Sequence, residues 1–302
     1  GHHLYIHSFP TRRSSDLASS AAGAIFNITG VDSGNMVGGA SFSSFEKLQG
    51  TGGGDSYNLN GGYVGTITGG ASDTIDVLVA TNASGQNLSY TAGTIKSAGA
   101  GDVLTATSLT LGGATAIGQS GAAGFLTAVS SLTINGSSGA ATIVNSSAIL
   151  LNNIAMGAGN FNLTATTGDI TSANLTSVQA ATATFTASNG NVGTAGANVF
   201  INLGNGTLTA TATNGSVWVK DSGSLTLGAI SAATGTNSIN INAANNMTAT
   251  GDTLSSGTGG TNLTTGGAMS LTNVTATDGL TLSNGGTLTI KKIYPDPRTG
   301  LY

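Results

Sequence analysis

The sequence predicts an all-β protein: a right-handed parallel β-helix, a solenoid whose coils take about 20 to 30 residues each. Three observations point to it. Of 302 residues 48 are Gly and only 3 are Pro, and Gly, Ala, Ser, Thr and Asn together make up almost two thirds of the chain. Short segments alternate Ser or Thr with Leu, Ile or Phe, the period-two pattern of half-buried strands. A short element in which Gly or Asn precedes a polar and then an apolar residue recurs at the spacing of a repeat array.

Composition supports folding and excludes several classes. A chain that is 39% apolar with a mean hydropathy of +0.18 is too hydrophobic for the disordered class, which joins low hydrophobicity to high net charge. Lys and Arg number 8 against 12 Asp and Glu, a net charge of -4, so the basic stripe that phosphate binding needs is missing and nucleic acid is not an expected partner. No stretch approaches the roughly 20 consecutive apolar residues of a membrane-spanning helix, so no integral membrane segment is expected. Zero Cys excludes a disulfide scaffold, a Cys-ligated zinc site and thiol catalysis.

Composition shifts divide the chain into four stretches. Residues 1–17 hold all three His and the pair Arg12 and Arg13, and the run from His7 to Leu17 matches a translated short-read sequencing adapter; this stretch is read as non-native. Residues 18–98 are an irregular Gly/Asp-rich solenoid region and residues 99–290 the regular repeats. Residues 291–302 form a tail outside the repeat, itself a candidate for a non-native sequence. Between the two ends the only basic residues are Lys47, Lys96 and Lys220.

Within the regular region the expected strand cores include 108–111, 131–134, 160–164, 184–186, 207–209, 224–227, 238–241, 270–271 and 280–282. The second element closes on Ile170, Val192, Val217, Met247 and Met269, at steps of 22, 25, 30 and 22 residues. One such repeat has too small an apolar face for its own core, so neighbours must stack. Gly and β-branched content excludes a helical solenoid, and a single Trp argues against a propeller. At a strand spacing of about 4.8 Å and roughly 23 residues per turn, about 12 turns would give a rod on the order of 55 Å long.

Few residues could carry chemistry. The segments around Asp55 and Asp73 partly fit the calcium-binding nonapeptide G-G-x-G-x-D-x-U-x, and in that reading their carboxylates supply oxygen ligands to Ca²⁺. The copies are isolated, so Gly-Asp turns between strands are the simpler explanation and no metal or cofactor is expected. An enzyme needs an acid, a base or an activated nucleophile, but residues 18–290 contain no His, Arg or Cys and a single Glu, Glu46. Of the adjacent charges, Asp73 and Asp76 lie at an odd spacing and should point to opposite faces, as should Lys220 and Asp221; all are expected to be solvated turn charges and no catalytic residue is expected. Thr-x-Thr pairs step by 18, 27, 39, 27 and 12 residues, too unevenly for the ranks of an ice-binding face, and β-propensity explains them. Sequons at Asn162, Asn205, Asn214 and Asn262 are read as turn and ladder residues. Trp218, between Val217 and Val219, should face outward and is the best candidate for stacking on a sugar. Met156, Met247 and Met269 are core filler.

Residues 189–230, with Gly-x-Val, an alternating strand and then Gly-Ser-Leu-Thr-Leu-Gly-x-Ile, resemble the β-helical repeats of filamentous haemagglutinin-like exoproteins, the large adhesins of two-partner secretion. The likeness extends more loosely over residues 100–290, and residues 42–77 resemble the glycine- and aspartate-rich blocks of some such proteins. It implies a right-handed β-helix exported through an outer-membrane pore and displayed on, or released from, a Gram-negative cell. No family-wide catalytic residues accompany it, and the chain is expected to be an internal fragment. The expected function is therefore the non-catalytic shaft of a secreted surface adhesin, with host or environmental glycans or neighbouring surface proteins as partners. A polysaccharide lyase- or hydrolase-like β-helix enzyme and a self-assembling surface-layer or biofilm matrix protein are the alternatives.

Overall fold

The structure, a computed structural model, describes residues 4–6, 16–19, 23–39, 41–50, 53–118, 124–173, 175, 178–233 and 235–295. Most of the leader read as non-native and the end of the tail, 296–302, lie outside the described residues. The protein is all-β, and its parallel strands stack as a β-solenoid of about 11 turns. Two compact units divide it, Gly1–Ser146 and Ser147–Tyr302.

In the first unit one column of strands runs through Ile25–Gly30, Ser56–Asn60, Thr74–Val79, Thr94–Ser97 and Ala116–Ile117. A second runs from Asp16–Ser19 through Lys47–Gln49, Thr66–Thr68, Thr81–Thr91 and Leu104–Gly112 to Phe125–Asn135. Alternation turns every second side chain inward, and parallel register sets like on like. Leu17, Leu48, Ile67, Tyr90, Leu111 and Ile134 form one buried file, each on a successive turn. Phe26, Tyr57, Ile75, Ile95 and Ile117 form another, opened by the stacked rings of Phe26 and Tyr57, 5.0 Å apart and 6° from parallel. Each such side chain contributes about 1.5–3 kcal/mol on burial.

The first unit also departs locally from the parallel plan. Ile25–Gly30 pairs antiparallel with Ser33–Met36, which pairs antiparallel with Ser41–Ser43. The reversal at Val31 and Asp32 works because Asp32 takes a left-handed backbone, φ 50°, which Asp tolerates better than most residues. Phe42 packs edge-on against Phe26, centroids 6.4 Å apart, and so pins this insertion to the core. The insertion widens the step between stacked residues to the 31 positions separating Asn27 from Asn58, whereas the next turn takes only 18.

In the second unit one column contains Asn160–Ala165, Thr182–Ala187, Thr207–Ala212 and Leu225–Ala232, and then pairs of short strands such as Met247–Thr250 with Thr253–Ser255. The other contains Val199–Asn202, Val217–Asp221, Ile239–Ala243, Thr261–Thr265 and Leu280–Asn284. Ile170, Val192 and Val217 bridge in parallel at the expected steps. The expected 30-residue step is corrected: Val217 pairs with Ile239, while Met247 pairs with Leu225 below and Met269 above, in a different column. Corners are tight. A Cβ at Gly206 would collide with the Ala181 carbonyl of the turn beneath, so only Gly lets the chain pass there. The inward file weakens at the last described turn, where Leu288 and Ile290, in register with the buried Met269 and Leu271, are 43% and 46% exposed.

Candidate functional site

Trp218 occupies the outward position of its strand, half-buried, between Val217 and Val219, which are fully buried. Its N–H donates to the Val192 carbonyl at 2.7 Å, fixing the backbone from below. Above it the register places Asn240 and then Asn262. These make an amide ladder: Asn262 Nδ2 donates to Asn240 Oδ1 at 3.0 Å, and Asn240 Nδ2 donates to Ser238 Oγ at 2.8 Å. Phe200, half-buried, is also outward and lies in register with the exposed Lys220. Trp218, Phe200 and Lys220 thus share one face, with Trp218 diagonal to Phe200. Phe200 escaped the sequence reading, although its place between Val199 and Ile201, both buried, is the same alternation that exposes Trp218. An aromatic pair beside an amide row and a lysine can stack on and hydrogen-bond a sugar ring.

The same face of argument applies to the hydroxyls of the other column. Uneven sequence intervals argue against ranks of Thr, yet Thr182, Thr184 and Thr186 lie in register with Thr207, Thr209 and Thr211. One file continues through Thr226, Thr248, Ser270 and Thr289, and the Thr226 and Thr248 hydroxyls are 3.2 Å apart. Turns of unequal length absorb the difference at the corners.

The charges fall differently from expectation. Asp73 is buried and Asp76 is on the opposite, outward face, where Lys96 lies 3.2 Å from its carboxylate. Lys220 and Asp221 diverge likewise, Lys220 exposed and Asp221 buried. The expectation of solvated turn charges is therefore corrected for Asp73 and Asp221. These carboxylates are drawn in because they cap backbone N–H groups at the corners. Asp221 Oδ2 accepts from Leu203 N–H at 3.2 Å and Oδ1 accepts from Gly223 N–H. Burial pushes the Asp221 carboxyl above the ordinary 3.8, and the two backbone hydrogen bonds oppose that rise.

Asp55 and Asp73, expected as isolated turn residues, are brought together. They immediately precede the paired residues Ser56 and Thr74 on successive turns, and both are buried. Asp55 Oδ1 accepts from Ala24 N–H at 2.8 Å. Asp73 Oδ1 accepts from Asp55 N–H at 2.9 Å and Gly54 N–H at 3.2 Å, and Asp73 Oδ2 accepts from Gly70 N–H at 2.6 Å. Among the described residues no three His, Cys, Asp or Glu side chains converge as a metal cluster, and no helix is long and apolar enough to cross a membrane.

Comparison of the chain with protein-family models, with curated proteins and with solved structures found no match.

Proposed function

We propose that this chain is a non-catalytic shaft segment of a large secreted bacterial surface adhesin of the filamentous haemagglutinin-like kind, exported through an outer-membrane pore and displayed at the cell surface. The observation that carries the reading is the register. Within each unit inward apolar residues stack on inward apolar residues turn after turn, while outward positions stack Asn on Asn and Thr on Thr. Where turns stack in this parallel register, each repeats the inward-on-inward contacts of the one before, so reach scales with turn number at about 4.8 Å per turn. Low charge and short polar side chains suit faces that slide past, or lie against, neighbouring surface proteins and glycans. The Trp218, Phe200 and Lys220 face is the place where a glycan would be held.

The test is to fuse the chain between an outer-membrane anchor and a terminal epitope in a Gram-negative host and to measure epitope height by atomic force microscopy. The expected result is a protease-resistant extension that raises the epitope by several nanometres. A collapsed, rapidly degraded insert would sink the reading. Cleavage of polygalacturonate-type polymers by the purified chain would favour the enzyme alternative, and concentration-dependent sheets or fibres the self-assembling one.

A further inference from the structure

Successive turns of the second unit present the same outward pair of short polar side chains. One file runs Asn160, Thr182, Thr207, Thr226, Thr248, Ser270 and Thr289, each in register with the next. Two residues further along each strand a second file places Asn162, Thr184 and Thr209 on the first three turns and Thr250 and Thr272 on the fifth and sixth. The fourth turn supplies Gly228, where a bulge adds one residue before the register resumes. Between the two files the inward residues Phe161, Ala183, Leu208, Leu227, Ala249 and Leu271 are all buried, so each pair stands on the same packed backing. Thr182, Thr184, Thr207 and Thr209 are half-buried and Thr248 and Thr250 exposed. The Thr226 hydroxyl donates to the Asn205 carbonyl at 3.2 Å and lies against that of Thr248. Among the described residues the hydroxyls of Thr182, Thr184, Thr207, Thr209, Thr250 and Thr272 have no partner within the protein.

Register turns these files into a grid. Alternate residues of a parallel strand are about 6.6 Å apart and neighbouring turns about 4.8 Å, so six turns extend the grid over roughly 24 Å. The β-branched Thr side chain is stiff at χ1, which holds each hydroxyl and methyl at its grid point. Over those six turns neither file contains a charged residue, so an ionic ligand finds no counter-charge there. Nor does a sugar ring find an aromatic to stack on, because Phe200 and Trp218 belong to the other column. The complement of an uncharged, evenly spaced array of hydrogen-bonding groups is an uncharged lattice with similar repeats. Oxygens on a prism face of ice repeat over distances of this size in two perpendicular directions. We propose that the threonine face from Thr182 to Thr272 binds ice, its hydroxyls bonding to lattice water and its methyls resting between water positions. Each hydroxyl only exchanges liquid water for ordered water, a small net gain. Adsorption therefore depends on many grid points engaging together, and one bulky side chain should spoil it. This face is separate from the Trp218 face and from the display reading, and either can fail without the other.

The experiment freezes a dilute solution of the full chain slowly onto a cold probe and measures its partition into the growing ice, with thermal hysteresis and crystal shape recorded in parallel. The expected result is enrichment in the ice fraction, faceted crystals and a measurable hysteresis gap, while an ordinary globular protein of similar mass is excluded. Thr184→Tyr and Thr209→Tyr, in the middle of the grid, should lose the enrichment and the hysteresis with strand content by circular dichroism unchanged. Thr264→Tyr, the same change on the other column, should retain both. Should the two central variants fail to fold, Thr248→Lys at an exposed grid point decides the matter and is expected to lose both activities. The proposal is overturned if the parent chain is excluded from ice like the control, or if the folded grid variants partition as the parent does. Exclusion from ice together with retention on crystalline cellulose or chitin, abolished by the same variants, would overturn it in favour of a carbohydrate lattice.

Discussion

Phe161 and Phe185 meet edge to face inside the second unit, ring centroids 6.0 Å apart and planes at 70°, on adjacent turns of one column. Both are fully buried. Phe185 also lies in register with Leu163 below and Ala210 above. Phe185→Ala should remove about 3–5 kcal/mol of stability. Nearest-neighbour stacking should confine the damage. Hydrogen exchange is expected to quicken in the strands 160–165, 182–187 and 207–212 and to stay slow in 261–265. Uniform acceleration across the unit would show that it unfolds as one block.

Asp221 gives a pH signature with a definite sign. Its carboxyl is raised above 3.8 in the fold, so the folded state holds its proton more tightly than the unfolded chain does. That contribution is fully present below the unfolded value and is lost as pH rises through the folded one. Asp221→Asn cannot titrate there. Its stability relative to the parent should therefore improve between about pH 3 and pH 7, whatever offset comes from the changed hydrogen bonds to Leu203 and Gly223. Urea denaturation of both proteins across that range measures the difference. A gap independent of pH, or one that closes in the other direction, would refute the assignment.

How much of this was legible beforehand depended on whether the signal was local. Strands such as Asn160–Ala165 and Thr207–Ala212 were readable because period-two alternation needs only the segment itself. Column membership was not. Gly215-Ser-Val217 and Asn245-Asn-Met247 look alike because each marks entry from a corner into a strand, yet each turn has more than one such entry, and the two belong to different columns. Register hid the Thr ranks and the Asp55 and Asp73 pairing for a related reason. Turn length varies, from 18 residues between Asp55 and Asp73 to 31 between Asn27 and Asn58, so no fixed interval in the sequence reveals what stacks on what. The antiparallel insertion turns at left-handed residues, Asp32, Gly38 and Ser44, and leaves no repeat signal at all.

In the proposed reading, Trp218 serves recognition and not folding. Its neighbours Val217 and Val219 are the residues that face the core, and the backbone at 218 is held by the Val192 carbonyl whatever the side chain. Trp218→Ala should retain the strand spectrum and lower the melting temperature by no more than about 2–4 °C, the shift that 1 kcal/mol produces in a unit of this size. On a glycan array the same variant, and Phe200→Ala with it, should lose the signal of any sugar that the parent binds. Collapse of the fold in Trp218→Ala would mean that the ring is a structural element, and retained binding would move the contact elsewhere on the surface.

Deletion of a whole turn provides the strictest check on the register. Leu225 pairs with Met247 and Val217 with Ile239, the same 22-residue step that separates Asn240 from Asn262. Excising residues 225–246 joins Ser224 to Met247 and delivers Met247 to the place Leu225 held. In the neighbouring column Thr261–Thr265 would then come down onto Val217–Asp221, with Leu263 replacing Ile241 over Val219. Inward positions remain inward and the amide row loses one member, Asn240, leaving Asn262 directly above Trp218. This shortened chain should fold, with strand content per residue unchanged and cooperative melting. Excising only residues 225–235 puts every later strand half a turn out of phase, places polar residues over apolar ones and should give an aggregated or unfolded product. If both deletions fold equally well, or both fail, the stacking of turns is not what specifies this structure.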